Sequence, residues 1–333
     1  MIWLVVWFGL GLALVSWWTE SRYRRTRPMA GGRHDDIMLP HTEAFELYHN
    51  AFSLCSNKVR LCLEELQVAY RSHPINLVET GAYENIGRRF LAVNPAGLVP
   101  VLVHEGRPVY ESHDILAYVA AHAPDRSLVP TESTARAEMD IWVDRASLKG
   151  DPLRDRSRPG NLVPALTIPM FAAMAEGIPI HQLIEGLLFH PMRIRPMFFL
   201  LLKGVGLRRL HWLAPAIARY REAVNGMHTA LDELEIRLTR SEGPWMLGAD
   251  FTLADVSWAV LLNRLDEADT LDAFLDGRPA IGAYWNAVQS RPSFATAVDA
   301  MRHPQAVAAT ARIRAEKANV AGLATALQVN GFG

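Results

Sequence analysis

Cysteine is scarce in this chain: Cys55 and Cys62 are the two in 333 residues. A disulfide-stapled secreted scaffold is therefore excluded, and a reducing compartment fits better. Their spacing is not CxxC, so dithiol redox cycling is not expected. An excess of one charge is also missing. Lys and Arg number 34 against 35 Asp and Glu, a formal net charge of −1. No basic field exists to hold nucleic acid. The histidines lack ligand spacing, so no metal is expected. No internal repeat is visible, and no strand pattern recurs after Pro130. What is present is apolar mass. Half of the residues are hydrophobic and 21% are charged, enough to bury a sizeable core. The length suggests two domains.

That apolar mass is front-loaded. Ile2 to Trp18 carries no charge, and a spanning helix needs roughly 17–25 such residues. Trp17 and Trp18 suit an interfacial belt, and Arg22, Arg24, Arg25 and Arg27 follow. Residues 1–21 are thus expected to form a single N-terminal transmembrane helix. The positive-inside rule puts its N-terminus outside and the rest on the cytoplasmic side of an inner membrane. Translation from Met29 would instead give a cytoplasmic chain. Residues 22–43 read as a linker.

Phe45–His49 alternates like a strand, and Val59, Cys62, Leu63 and Leu66 recur at helical spacing. Lys58, Arg60, Glu64 and Glu65 fall on the other face. Ala69–Leu77 and Val99–Val103 suit strands, and Glu105-Gly106 turns the chain back through Pro108–Tyr110. Ser112 can N-cap a helix through His122. This order predicts a small mixed α/β sheet of thioredoxin-like size over residues 44–124. Helical patterns over 131–302 predict an all-α second domain. It is interrupted by a Pro-, Met- and Leu-rich insert, 150–213, and followed by a tail, 303–333.

Three places carry candidate chemistry. Ser53-Leu54-Cys55-Ser56 lies at a strand-to-helix junction, where the helix dipole favours a thiolate. Cys62 is mid-helix on the packed face and reads as core. Val99-Pro100, at the entry to a strand, is a candidate cis peptide that would offer the Val99 backbone to an extended peptide. Glu111-Ser112 combines a carboxylate for an ammonium with a helix N-terminus for a carboxylate. A fourth motif, Thr252–Asp255, is an acidic capping box and a folding element.

Together these features resemble the cytosolic glutathione transferase family, over about residues 44–300. The matching stretches are Ser53–Arg60, the NPAGLVPVL segment from Asn94, Glu111-Ser112 and the FTLADV box from Phe251. The active-site turn looks like that of cysteine-type transferases and of tetrachlorohydroquinone reductive dehalogenases. The C-terminal stretch and the long helical insert look like the ganglioside-induced differentiation-associated proteins. The resemblance implies a thioredoxin-like domain followed by an all-helical one. It implies glutathione as co-substrate, its cysteinyl unit on Val99 and Pro100 and its γ-glutamyl end on Glu111 and Ser112. Asn85 and Arg88 are weaker candidates for the glycyl carboxylate. The catalytic residue is Cys55 or Ser53, with Cys55 favoured as the stronger nucleophile. The expected reaction is thiol transfer, conjugation or reductive dehalogenation of a small hydrophobic electrophile, by a homodimer. The rival reading is a non-enzymatic, membrane-anchored glutathione-binding or membrane-shaping module on the same scaffold.

Overall fold

The computed structural model describes residues 2–123, 126–151 and 154–330. The expected domain boundary at 124 and the last three residues of the tail lie outside these. The chain opens with α1 (Ile2–Tyr23), and β1 (Gly32–Arg33) and β2 (Phe45–His49) follow. Next come α2 (Leu54–Glu65), β3 (Arg71–Pro74), two 3-10 turns at Val78–Thr80 and Glu84–Ile86, and α3 (Arg88–Leu91). The hairpin β4 (Val101–His104) and β5 (Arg107–Tyr110) leads into α4 (Ser112–His122).

The sheet has the order β1-β5-β4-β2-β3, with β2 and β3 parallel and the other pairs antiparallel. Side chains alternate across it, as the two-residue strand period requires. Leu47, Leu102 and Val109 face α2, α4 and the large common core, while Val101, Val103 and Tyr110 face a smaller cluster with Phe90 and Leu39. β1 lies within the segment read as linker. The His34 amide donates to Pro108 (2.9 Å) and the Leu39 amide to Gly106 (2.8 Å), so residues 32–39 cover the otherwise open edge of β5.

The rest of the chain is helical. It comprises α5 (Ser133–Ala146), α6 (Pro159–Leu166), α7 (Ile168–Ala175), α8 (Ile180–Phe189), α9 (Ile194–Val205) and a 3-10 stretch at Leu207–Trp212. It continues with α10 (Ala214–Thr239), α11 (Leu253–Glu267), α12 (Leu271–Leu275), α13 (Pro279–Gln289), α14 (Pro292–Phe294), α15 (Pro304–Asn319) and α16 (Ala321–Ala326). Among the described residues the insert forms four helices and a 3-10 stretch, and it clasps the first domain. Arg195 pairs with Glu79, the Tyr83 amide donates to Gln182 (3.3 Å), and the Tyr83 and His190 rings meet edge-on at 5.6 Å. The capping box forms as read: both the Thr252 amide (2.8 Å) and its hydroxyl (3.0 Å) donate to Asp255.

The expectation of a transmembrane helix is overturned. Among the described residues, no helix is long and apolar enough to cross a membrane. At 1.5 Å per residue the uncharged run is about 25 Å long, short of a hydrocarbon core of roughly 30 Å. The next residues cannot extend it, because they are engaged with protein. Glu20 pairs with Arg88, and Arg24 reaches Glu185 (2.6 Å) and the Ile86 carbonyl (2.9 Å). Upstream, Trp3, Trp7, Phe8 and Leu14 are exposed. The N-out orientation and the inner-membrane, cytoplasmic-side location rested on a span and fall with it. The alternative reading loses its membrane anchor in the same way.

Candidate active site

β4 is antiparallel to β2 on one side and β5 on the other, with Tyr48 opposite Val101 and Val109 opposite Leu102. Continuing these registers by one or two residues brings three segments to one end of the sheet. They are the turn after His49, the Val99–Pro100 peptide and Glu111. The sheet topology therefore gathers the three sequence-predicted segments.

The first segment is shaped by Asn50. Its Oδ1 accepts the amides of Phe52 (2.9 Å) and Ser53 (3.0 Å), and its Nδ2 donates to the Ile75 carbonyl (2.9 Å) and Thr80 Oγ1 (2.9 Å). Ser53 then caps α2, its Oγ accepting the Ser56 amide at 3.3 Å. Among the described residues, the Ser53 hydroxyl has no acceptor of its own. Cys55 stands in the first turn of α2 and is partly exposed. Cys62, two turns on, is wholly buried, and burial pushes its thiol far above the usual range.

The helical spacing puts Lys58 and Arg60 on the polar face of α2. They are buried instead, because that face meets the helical domain. Lys58 Nζ donates to the Ala146 carbonyl (2.5 Å), and burial brings its pKa down to about 8 against the opposing charge of Cys55. Arg60 donates to the carbonyls of Ala297 (2.9 Å) and Asn50 (3.1 Å) and lies 3.0 Å from His49 Nδ1. Burial, then the Arg60 charge, lowers His49 to about 3. Sequence periodicity marks such residues as polar; it carries no sign that a second domain covers them.

The Val99–Pro100 peptide is cis. Among the described residues, neither the amide nor the carbonyl of Val99 has a backbone partner, so both are available to an extended ligand. Asn85 donates to the Gly97 carbonyl (2.9 Å) and Arg88 is paired with Glu20, so both weaker candidates serve the local structure.

At the third segment, Glu111 rather than Ser112 holds the cap position of α4, and Ser112 is its first residue. Glu111 has φ +64° and ψ 123°, a conformation that side-chain-bearing residues rarely adopt. His113 lies in no motif of the sequence; its Nδ1 is buried without a partner among the described residues, and burial lowers its pKa. His190 and Arg195 of the insert have structural partners. Burial, then the Arg195 charge, lowers His190 to about 4. Tyr48 stacks on His73 at 4.4 Å, which is packing.

Residues 52–122 match the family model for the N-terminal domain of glutathione S-transferase, and residues 215–286 match that for its C-terminal domain. Glutathione S-transferase 3 of Zea mays is 26% identical over 255 residues, covering 75% of this chain and 92% of the maize protein. The tetrachloro-p-hydroquinone reductive dehalogenase of Sphingobium chlorophenolicum is 25% identical, covering 75% and 94%. Among solved structures, the β-etherase LigF of Sphingobium sp. strain SYK-6 aligns with a TM-score of 0.60 at 19% identity, covering 78% of this chain and all of that one. At that identity the likeness speaks for the fold.

Proposed function

The chain belongs to the glutathione S-transferase family through both its N-terminal and its C-terminal domain, and from that premise we propose that Cys55 carries its chemistry. Glutathione is the co-substrate. Its cysteinyl unit pairs with the Val99 backbone beside Pro100, and its γ-glutamyl end meets Glu111 and the α4 N-terminus at Ser112. The partner substrate is a small hydrophobic electrophile, and the working unit is a homodimer.

One observation carries the assignment. Of two cysteines on one helix, Cys55 is partly exposed at the end that faces Val99 and Glu111, while Cys62 is sealed in the core. In thiol transfer, the Cys55 thiolate attacks the glutathione sulfur of a mixed disulfide and expels the other thiol. A second glutathione thiolate then attacks the Cys55–glutathione disulfide, releasing Cys55 and leaving glutathione disulfide. Ser53 supports a second reading, because its hydroxyl hydrogen is free to donate to a sulfur. A glutathione thiolate held there would attack an electrophilic carbon directly and expel its leaving group.

Steady-state assays on wild type, Cys55→Ala and Ser53→Ala separate these readings. The substrates are a glutathione mixed disulfide and 1-chloro-2,4-dinitrobenzene. Loss of a covalent nucleophile costs thiol transfer on the order of 100-fold or more in Cys55→Ala. Unchanged thiol transfer in that variant would remove Cys55 from the mechanism. Failure of the wild type to bind glutathione by calorimetry would remove the glutathione site itself. Light scattering of the purified chain checks the dimer.

A further inference from the structure

A cleft of about 730 Å³ opens on the helical domain, lined by residues of 176–212 together with Arg312 and Val320. None of these lies in 52–122 or 215–286, the segments that match the family. The insert and the tail build it, so it belongs to what this chain adds to the transferase core.

Its charge is one-sided. Lys203, Arg208, Arg209 and Arg312 share the wall with one carboxylate, Glu176. That carboxylate is already engaged: Oε1 accepts the Leu207 amide (3.1 Å) and Oε2 pairs with Arg312 (2.7 Å). Arg208 is paired with Glu316 (3.2 Å). Lys203 donates to a backbone carbonyl, that of Glu176 (2.6 Å), and Arg209 lies 5.5 Å over the Trp212 ring. Among the described residues, no carboxylate pairs with either.

A further observation points to a ligand. Trp212 is 67% exposed at the rim, a large flat apolar surface beside a cation. His211, on the same wall, has its Nδ1 buried without a partner among the described residues. A Cβ at position 322 would come within 3.0 Å of the His211 ring, so Gly322 is what lets that ring sit against α16.

We infer that this cleft binds a small organic anion bearing a planar ring, the anionic group on Lys203 and Arg209 and the ring on Trp212. A cation that lacks a carboxylate gains most from an anionic oxygen, and the indole offers a stacking face that a bare ion cannot use.

Calorimetry on the full chain tests this with phenyl phosphate and with inorganic phosphate as probes. The expected result is saturable binding of phenyl phosphate with a Kd on the order of 0.1–1 mM. Inorganic phosphate, which cannot stack, should bind about tenfold more weakly, as should phenyl phosphate to Arg209→Gln. Glutathione binding should be unchanged in that variant, which separates this cleft from the active site. No saturable binding of phenyl phosphate, or equal affinity in Arg209→Gln, overturns the site. Equal affinity for the two probes overturns the role of the ring. Should Arg209→Gln fail to fold, Trp212→Ala gives the same reading, with phenyl phosphate weakened to the level of inorganic phosphate expected and no change overturning the site.

Discussion

Arg264 of α11 lays its guanidinium 3.8 Å from the centre of the Phe52 ring and donates a hydrogen bond to the carbonyl of that same residue. The helical domain thereby grips the turn that presents Ser53. Arg264 and its neighbour Glu267 (2.8 Å) are both buried. Replacing Arg264 with Met strands the Glu267 carboxylate, and breaking a buried pair costs about 3–5 kcal/mol. Urea unfolding should show that loss, and the KM for glutathione should rise. Adding Glu267→Met should restore much of the stability while leaving KM high. If KM recovers with stability, the grip on Phe52 does not position the turn.

The sequence shows one side of that grip and hides the other. Strand alternation, the Val99-Pro100 entry, the α2 cap and the Thr252–Asp255 box are local patterns, each legible within a few residues. Lys58 and Arg60 are not, since their burial depends on Ala146 and Ala297, far along the chain. The individual helices of the insert are not legible, because Pro159, Pro164, Pro169 and Pro196 interrupt the period that would bound them. The β1 strand is two residues long and exists through the open edge of β5. For α1, hydropathy overstated the span because it does not register that Glu20 and Arg24 dock on Arg88 and Glu185.

Burial and the Arg60 guanidinium hold His49 neutral, with a pKa of about 3 against 6.5 for the free side chain. A group whose folded pKa is lowered contributes stability above its unfolded value, and that contribution is lost as pH falls toward the folded one. Stability should therefore decline below pH 6.5, by up to about 1.4 kcal/mol per pH unit from this residue. Comparing urea unfolding of wild type and His49→Gln between pH 7 and pH 4 isolates it. Parallel curves for the two proteins would mean that His49 does not supply the slope.

Glu111 combines a strained backbone with a candidate ligand contact, and two substitutions separate them. Glu111→Gly relieves a conformation that costs roughly 1–3 kcal/mol in a residue with a side chain, offset by about 0.4–1 kcal/mol from the freer unfolded chain. Its stability should be equal to or above that of wild type. Glu111→Gln keeps the strain and removes the charge. Both should bind glutathione more weakly by about tenfold or more, the scale of one charge-assisted hydrogen bond. Calorimetry reads the affinity and thermal unfolding the strain. Undiminished affinity in Glu111→Gln would take the carboxylate out of the site.

Lys58 is a buried ammonium in the charge field of Cys55. Its ammonium is fully buried, and burial lowers its pKa from 10.5 to about 8, with the Cys55 charge acting the other way. Below pH 8 the folded chain keeps this charge at a cost that the unfolded chain does not bear. Stability should therefore rise as pH climbs from about 8 to 10.5, where the unfolded chain holds the proton and the folded one has lost it. A shift of that size corresponds to at most about 3 kcal/mol. Lys58→Met removes the charge and the rise. It leaves the Ala146 carbonyl without its donor, worth about 1–3 kcal/mol, so its net effect near neutral pH should lie between zero and a modest stabilisation. The same change takes a positive charge from beside Cys55, so iodoacetamide should alkylate Cys55 more slowly at pH 7 and thiol transfer should slow with it. Cys62 should stay unlabelled in both native proteins and react once they are unfolded. A variant that is no less stable but slower at both reactions would show that the buried ammonium is retained for the thiol. One that is less stable and reacts at the wild-type rate would show that Lys58 is a structural link to α5 alone.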